Sequence, residues 1–188
     1  MRRLTTIGFW FGILFACIPL FMYGYGVAKQ KALVRVWQGQ HDHPSTFHYP
    51  NADGSDGDAL MHLMIPKLKI DAMVVGDVTD AALAQGPGHF PSSALPGEVG
   101  NCTILAHRNV WGNWFSRLDE LNAGDKVIVE TATQKFVYRV TEHKVVEPTE
   151  ISVLEPHGKK RELTLITCTL PATHRLIVES VLDHQAAA

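Results

Sequence analysis

Leu163-Thr164-Leu165-Ile166-Thr167-Cys168 reads as a buried strand that delivers a thiol to a loop, because Leu, Ile and Thr crowd toward a single cysteine. Outward from it lie further short apolar runs separated by Gly and Pro turn signals. They fall at His62 to Pro66, Leu68 to Val75, Asn101 to His107, Lys126 to Glu130, Lys135 to Val146, Glu162 to Cys168 and Arg175 to Leu182. In one of them Phe136, Tyr138 and Val140 alternate with Lys135, Arg139 and Thr141, the period-two pattern of a half-buried strand. Many short strands with tight turns predict an all-β domain, a closed or nearly closed antiparallel barrel. Two short helices are expected between strands. Asp80 is placed to N-cap 81–84, before Gly86, and Asn113 to cap 114–121, before Gly124. There is no internal repeat and no heptad.

With 188 residues the chain can form one domain with a proper core and an appendage. Its net charge of −2 offers no basic patch of the size that nucleic acid requires, so no nucleic-acid partner is expected. Residues 6–28 carry no charged side chain, long enough for a transmembrane helix, and Pro19 would kink such a helix without forbidding it. Arg2, Arg3 and the small residues Gly26-Val27-Ala28 also suit a cleaved signal. The apolar stretch exceeds the roughly 7–15 residues of such signals, which favours an uncleaved anchor. Arg2 and Arg3 on one side nearly balance Lys29, Lys31 and Arg35 on the other, so charge leaves the orientation open. The expected division is an anchor with its flanks at 1–35, a flexible tether at 36–59 that holds the domain off the membrane, and a folded domain at 60–188. His41, His43 and His48 in the tether read as solvated linker residues rather than a metal site.

Three residues carry the chemistry. Cys168 ends its strand, His107 ends the run Ile104-Leu105-Ala106-His107-Arg108, and Arg175 begins the last strand. A thiol with a free pKa of about 8.5 is mostly protonated at neutral pH, so it needs a base or a positive field to act as a nucleophile. An arginine fork can hold a carbonyl oxygen or a developing oxyanion. Two other readings stand beside this one. A disulfide between Cys168 and Cys102 would leave a peptide-binding barrel without catalysis, and water as acceptor would make the protein a surface cysteine protease. Cys17 lies in the apolar stretch and reads as a small hydrophobe.

These motifs resemble those of the sortases, membrane-anchored cysteine transpeptidases of bacterial cell surfaces. The strand-borne pattern Thr-Leu-x-Thr-Cys stands as Thr164-Leu165-Ile166-Thr167-Cys168, with His107 in Thr103-Ile104-Leu105-Ala106-His107-Arg108 and Arg175 in Arg175-Leu176-Ile177-Val178. Ile65-Pro66-Lys67-Leu68, Gly86-Pro87-Gly88-His89-Phe90-Pro91 and Leu121-Asn122-Ala123-Gly124-Asp125 are similar too, and the likeness covers about residues 60–183. It implies an eight-stranded sortase-type β-barrel behind one N-terminal transmembrane helix, a single pass through the cell membrane and an extracytoplasmic catalytic domain. It implies that Cys168 attacks the Thr–Gly bond of a Leu-Pro-x-Thr-Gly-like sorting signal on a surface protein. An amine from a cell-wall precursor or a pilin lysine would then release the acyl group. His107 would be the general acid and base and Arg175 the oxyanion partner. Thr167, Ala106 and Leu170 are the expected substrate-side contacts, Thr167 through a supporting hydrogen bond. The chain looks most like class D and class E sortases. Some sortases bind calcium through acidic loops, but Glu98, Asp119 and Glu120 read as solvated charges, so neither a metal nor another cofactor is expected. The loop Glu147 to Glu162 is expected to border the substrate groove, and Trp111 and Trp114 to wall the site or pack beneath the loop.

Overall fold

A computed structural model describes the backbone of residues 2–42 and 59–187, with side chains for most of 15–39 and for 61–187. Helix α1 (Arg2–Asp42) precedes β1 (Ala59–Ile65) and β2 (Ile70–Val75). Then follow α2 (Asp80–Leu83), β3 (Gly88–His89), β4 (Gly100–Leu105), β5 (Lys126–Glu130), β6 (Gln134–Val146), β7 (Arg161–Cys168) and β8 (Arg175–Ala187). The strands close into a barrel in the order β1-β2-β3-β4-β7-β8-β6-β5, with β5 pairing back onto β1 through Leu63 and Val129. The barrel is not wholly antiparallel as expected: β2 runs parallel to β3, and β4 parallel to β7. The chain leaves β4, builds β5 and β6 at the far side and returns as β7, the long connection that parallel neighbours need. β3 went unread because two residues carry no period; its backbone is held by the Val75 N–H on the Pro87 carbonyl.

Alternation decides which side chains fill the barrel. Cys102 and Ile104 of β4, Ala106 just beyond it, Leu163 and Leu165 of β7 and Leu176 and Val178 of β8 point inward, joining Met61, Leu63, Ile65, Val127, Val129, Phe136 and Tyr138 in one core. Each fully buried aliphatic side chain contributes about 1.5–3 kcal/mol. The intervening residues of β4, β7 and β8 face outward. Registers align them in rows across the three strands. Thr103, Thr164 and Glu179 make a polar row, and Leu105, Ile166 and Ile177 an apolar one.

The helices differ from expectation. α2 is capped by Thr79, whose hydroxyl accepts from the Ala82 N–H, with Asp80 as its first residue. Over 114–121 only Leu118–Glu120 forms a 3-10 turn. The Phe115 N–H donates to the His107 carbonyl instead of to a helix partner, and Trp111 and Asn113 adopt left-handed backbone angles.

α1 runs past the expected boundary at Val36 as far as Asp42, and its C-terminal half lies on the barrel. Leu33 and Trp37 bury against Met73, Val75 and Ala82, and Tyr25 meets Trp111 edge-on at 5.5 Å. Gln30 locks the helix down: the Met73 N–H donates to its Oε1 at 2.7 Å, and its Nε2 donates to the Met73 and Gln85 carbonyls. Gly26, Gln30, Leu33 and Trp37 share one helical face. Among the described residues no helix is long and apolar enough to cross a membrane; the uncharged run begins at residue 6, among side chains outside the described set. His43, His48 and the rest of 43–58 also lie outside the described residues.

Candidate active site

The C-terminal end of β7 carries the thiol. Cys168 is the last residue of β7 and stands directly opposite Arg175, the first of β8. The Thr169 N–H donates to the His174 carbonyl, which makes the Cys168–Arg175 rung the non-hydrogen-bonded kind, with Cα atoms about 4.5 Å apart and side chains on the same face. On the other flank Leu105 pairs with Ile166, so His107, two residues on, falls beside Cys168. His107, Cys168 and Arg175 therefore form the next outward row beyond Leu105, Ile166 and Ile177. The structure brings together the three residues that the sequence singled out.

Hydrogen bonds pin the histidine's backbone. The Ala106 N–H donates to the Ile166 carbonyl at 3.1 Å, and the Thr167 hydroxyl to the Ala106 carbonyl at 2.9 Å. Burial lowers the His107 pKa below its ordinary value of 6.5, with the Asp80 carboxylate pulling it the other way. The imidazole is thus neutral at pH 7 and able to take a proton. Arg175 donates to the carbonyl of its neighbour His174 at 3.3 Å.

Of the other expected contacts, Thr167 and Ala106 are buried and Leu170 is exposed. Thr167 is 2 % exposed and Ala106 5 %; both side chains face the barrel interior, where the Thr167 hydroxyl supports the histidine strand. Leu170 lies exposed in the β7–β8 loop. Trp114 packs against the core beneath its loop, while Trp111 meets α1.

The disulfide reading fails on geometry. Cys102 pairs with Leu163, five residues before Cys168, about 16 Å along the strand at 3.3 Å per residue, whereas a disulfide needs Cα atoms within about 7 Å. The three described cysteines are free, and burial raises the Cys102 thiol's pKa, which leaves it inert.

The segment 147–160, within the loop expected over Glu147 to Glu162, lies against the outward face. Val153 and Leu154 pack on Ile166 and Ile177, and Asn101 ties the segment to the sheet: its Nδ2 donates to the Val153 carbonyl, and its Oδ1 accepts from the Thr164 hydroxyl. Beside it an apolar cavity of about 120 Å³ is lined by Leu105, Val146, Ile151, Leu154, Ile177 and Arg175. The carboxylates weighed for calcium are engaged elsewhere, Asp119 with Arg108, Glu120 with Arg117 and Glu98 with the Leu95 N–H.

Two residues of structural weight escaped the sequence reading. Arg108 reaches the Cys168 carbonyl, and its only signal was its place after the strand-ending histidine. Gln30 was hidden in a stretch read as anchor, although the spacing of Gly26, Gln30, Leu33 and Trp37 marks a helix face.

The family model described as Sortase domain matches residues 63–183. Among curated proteins, Sortase SrtE1 of Streptomyces coelicolor is 31 % identical over 159 residues, covering 76 % of this chain and 43 % of that protein. Sortase D of Bacillus subtilis is 30 % identical over 112 residues, 60 % of this chain and 55 % of that protein. The chain thus spans about half the length of these relatives. Among solved structures, the Clostridium perfringens Sortase D5 transpeptidase superposes with a TM-score of 0.73 at 26 % identity, covering 84 % of this chain and 99 % of that one. Sortase E of Streptomyces avermitilis superposes at 0.66 with 30 % identity, covering 70 % and 91 %.

Proposed function

This chain belongs to the sortase family, and on that premise we propose that it is a cysteine transpeptidase with Cys168 as nucleophile. The observation that carries the reading is the single outward row of His107, Cys168 and Arg175 next to an apolar cavity. Neutral His107 takes the thiol proton, and the thiolate attacks the Thr–Gly carbonyl of a Leu-Pro-x-Thr-Gly-like sorting signal. Arg175 holds the carbonyl oxygen as it gains charge. Collapse of the tetrahedral species breaks the C–N bond, and His107 returns its proton to the leaving glycine amine. A second amine then attacks the thioester, gives its proton to His107 and leaves with the acyl group as an amide. The apolar cavity suits the aliphatic residues upstream of the scissile bond.

Surface proteins bearing the signal are the substrates, and a cell-wall precursor or a pilin lysine is the acceptor. The uncharged segment 6–28 anchors the chain in the cell membrane as a single pass, with the barrel on the extracytoplasmic side.

The test incubates the full chain with a panel of sorting-signal peptides and several amines, read by mass spectrometry. A peptide–amine product with an acyl adduct on Cys168 is expected. Free acid alone, with good amines present, would indicate a protease. Cys168→Ala should abolish turnover while leaving the melting temperature nearly unchanged; ligation by that variant would remove Cys168 as nucleophile.

A further inference from the structure

The carbonyl oxygen of Cys168 has a side-chain donor where a sheet would supply a backbone one. In the ladder between β4 and β7 the Ala106 N–H meets the Ile166 carbonyl. Parallel rungs repeat every second residue, so the next rung would bring the residue-108 N–H to the Cys168 carbonyl. β4 has ended by then, and its chain turns away with the His107 carbonyl taken by the Phe115 N–H. The Arg108 side chain fills the gap. Its Nη1 donates to the Cys168 carbonyl at 3.4 Å, and its Nη2 donates to Asp119 Oδ1 at 2.7 Å.

The guanidinium is held in place against a penalty. The Arg108 side chain is only 11 % exposed, and its Nε is buried with no hydrogen-bond partner among the described residues. Burying a cation with one N–H unpaired costs free energy. That cost is offset by a strap joining the end of β4, the end of β7 and the 3-10 turn that carries Asp119.

We propose that Arg108 is a positioning residue for the nucleophile, standing in for the missing rung so that the strand end bearing Cys168 stays fixed between His107 and Arg175. The inference rests on the reading of Cys168 as nucleophile. It separates the roles of two arginines. Arg108 is engaged at both ends and faces the nucleophile's own backbone, whereas Arg175 is bonded to its neighbour's carbonyl and can turn to a substrate.

The experiment uses the full chain with Arg108→Met, Arg108→Lys, Asp119→Ala and the Arg108→Met/Asp119→Ala double variant. Two rates are measured: alkylation of Cys168 by iodoacetamide at pH 7, read by mass spectrometry, and steady-state ligation of a processed signal peptide. Methionine keeps much of the side-chain volume, and melting temperatures report on the fold.

Arg108→Met is expected to lower kcat about 10- to 100-fold with KM within about twofold, as a misplaced reacting group does. Alkylation should slow about fivefold as the thiol moves away from its base, His107. Arg108→Lys should recover part of both rates, because one ammonium can still reach the carbonyl. Asp119→Ala should show a smaller loss, and the double variant should be no worse than Arg108→Met alone, the signature of one strut. Unchanged alkylation and kcat in Arg108→Met would overturn the proposal. So would losses that follow the melting temperature across all variants, or losses from Arg108 and Asp119 that simply add. Alkylation reads the thiol whatever reaction the protein performs. A silent Arg108→Met beside an inactive Cys168→Ala would remove only the strut, while an active Cys168→Ala would remove the nucleophile itself.

Discussion

Arg175 faces Cys168 across a narrow rung, and what it offers there is a planar fork rather than a charge alone. Arg175→Lys keeps the charge and loses the fork, so ligation should fall by about 100-fold or more, the scale seen when an oxyanion donor is lost. Near-normal kcat in that variant would contradict the role given to Arg175. His107 supplies a second residue-scale prediction. It must be neutral to take the thiol proton, and burial lowers its pKa below 6.5. The acid limb of activity should therefore have its midpoint below pH 6.5, as the imidazole gains its proton. A profile of kcat/KM against pH checks this, and an acid limb centred above 6.5 attributable to His107 would count against it. His107, Cys168 and Arg175, the residues proposed to react, were legible in the sequence because each sits at one end or the other of an apolar run. The same alternation that turns Cys168 outward turns Thr167 inward, so the inward placement of Thr167 was implicit in the pattern. Arg108 was not legible, since its part depends on a rung that the sheet lacks.

At the scale of elements, the 147–160 segment, proposed to border the substrate, is held by one side chain from the sheet beneath it. Asn101 is 3 % exposed and bonds both the Val153 carbonyl and the Thr164 hydroxyl. Asn101→Ala leaves both of those groups without their partner, which should cost about 1–3 kcal/mol. It should also loosen the 147–160 segment, raising KM for signal peptides more than it lowers kcat. Chemical denaturation and steady-state kinetics test the two halves, and an unchanged KM would show that the segment is held by Val153 and Leu154 packing alone. The long strands were legible through their alternation. The two-residue β3 was too short to show one, and the parallel β4–β7 pairing is a matter of chain return that no local pattern encodes. The helix expected over 114–121 is absent because a tertiary acceptor, the His107 carbonyl, captures the Phe115 N–H.

For the whole molecule, Met73 and Val75 of β2 form an apolar flank with Ala82 of α2, and α1 covers it. Gln30 makes three hydrogen bonds at that junction. Gln30→Ala should destabilise the protein by about 1–3 kcal/mol, a fall of several degrees in melting temperature for a chain of this size. Amide exchange at β2 should quicken with it; exchange as slow as in the parent would mean that Leu33 and Trp37 suffice to hold the helix.

The docking of α1 also alters how far the enzyme can search. A flexible spacer of the length expected over 36–59 would let the barrel roam with a root-mean-square span of about 27 Å. Here the uncharged segment ends at residue 28, and α1 already meets the barrel at Tyr25 and Gly26 before Gln30 locks it down, so no slack separates them. With that segment held in a membrane, as proposed, the row of His107, Cys168 and Arg175 would work at a set height and sweep only by rotation about its helix. Acceptor amines presented at that height would experience a high effective concentration of thioester, and those displayed farther out almost none. Helix docking would then be a geometric filter on which acceptors are used, acting before any side chain reads their chemistry.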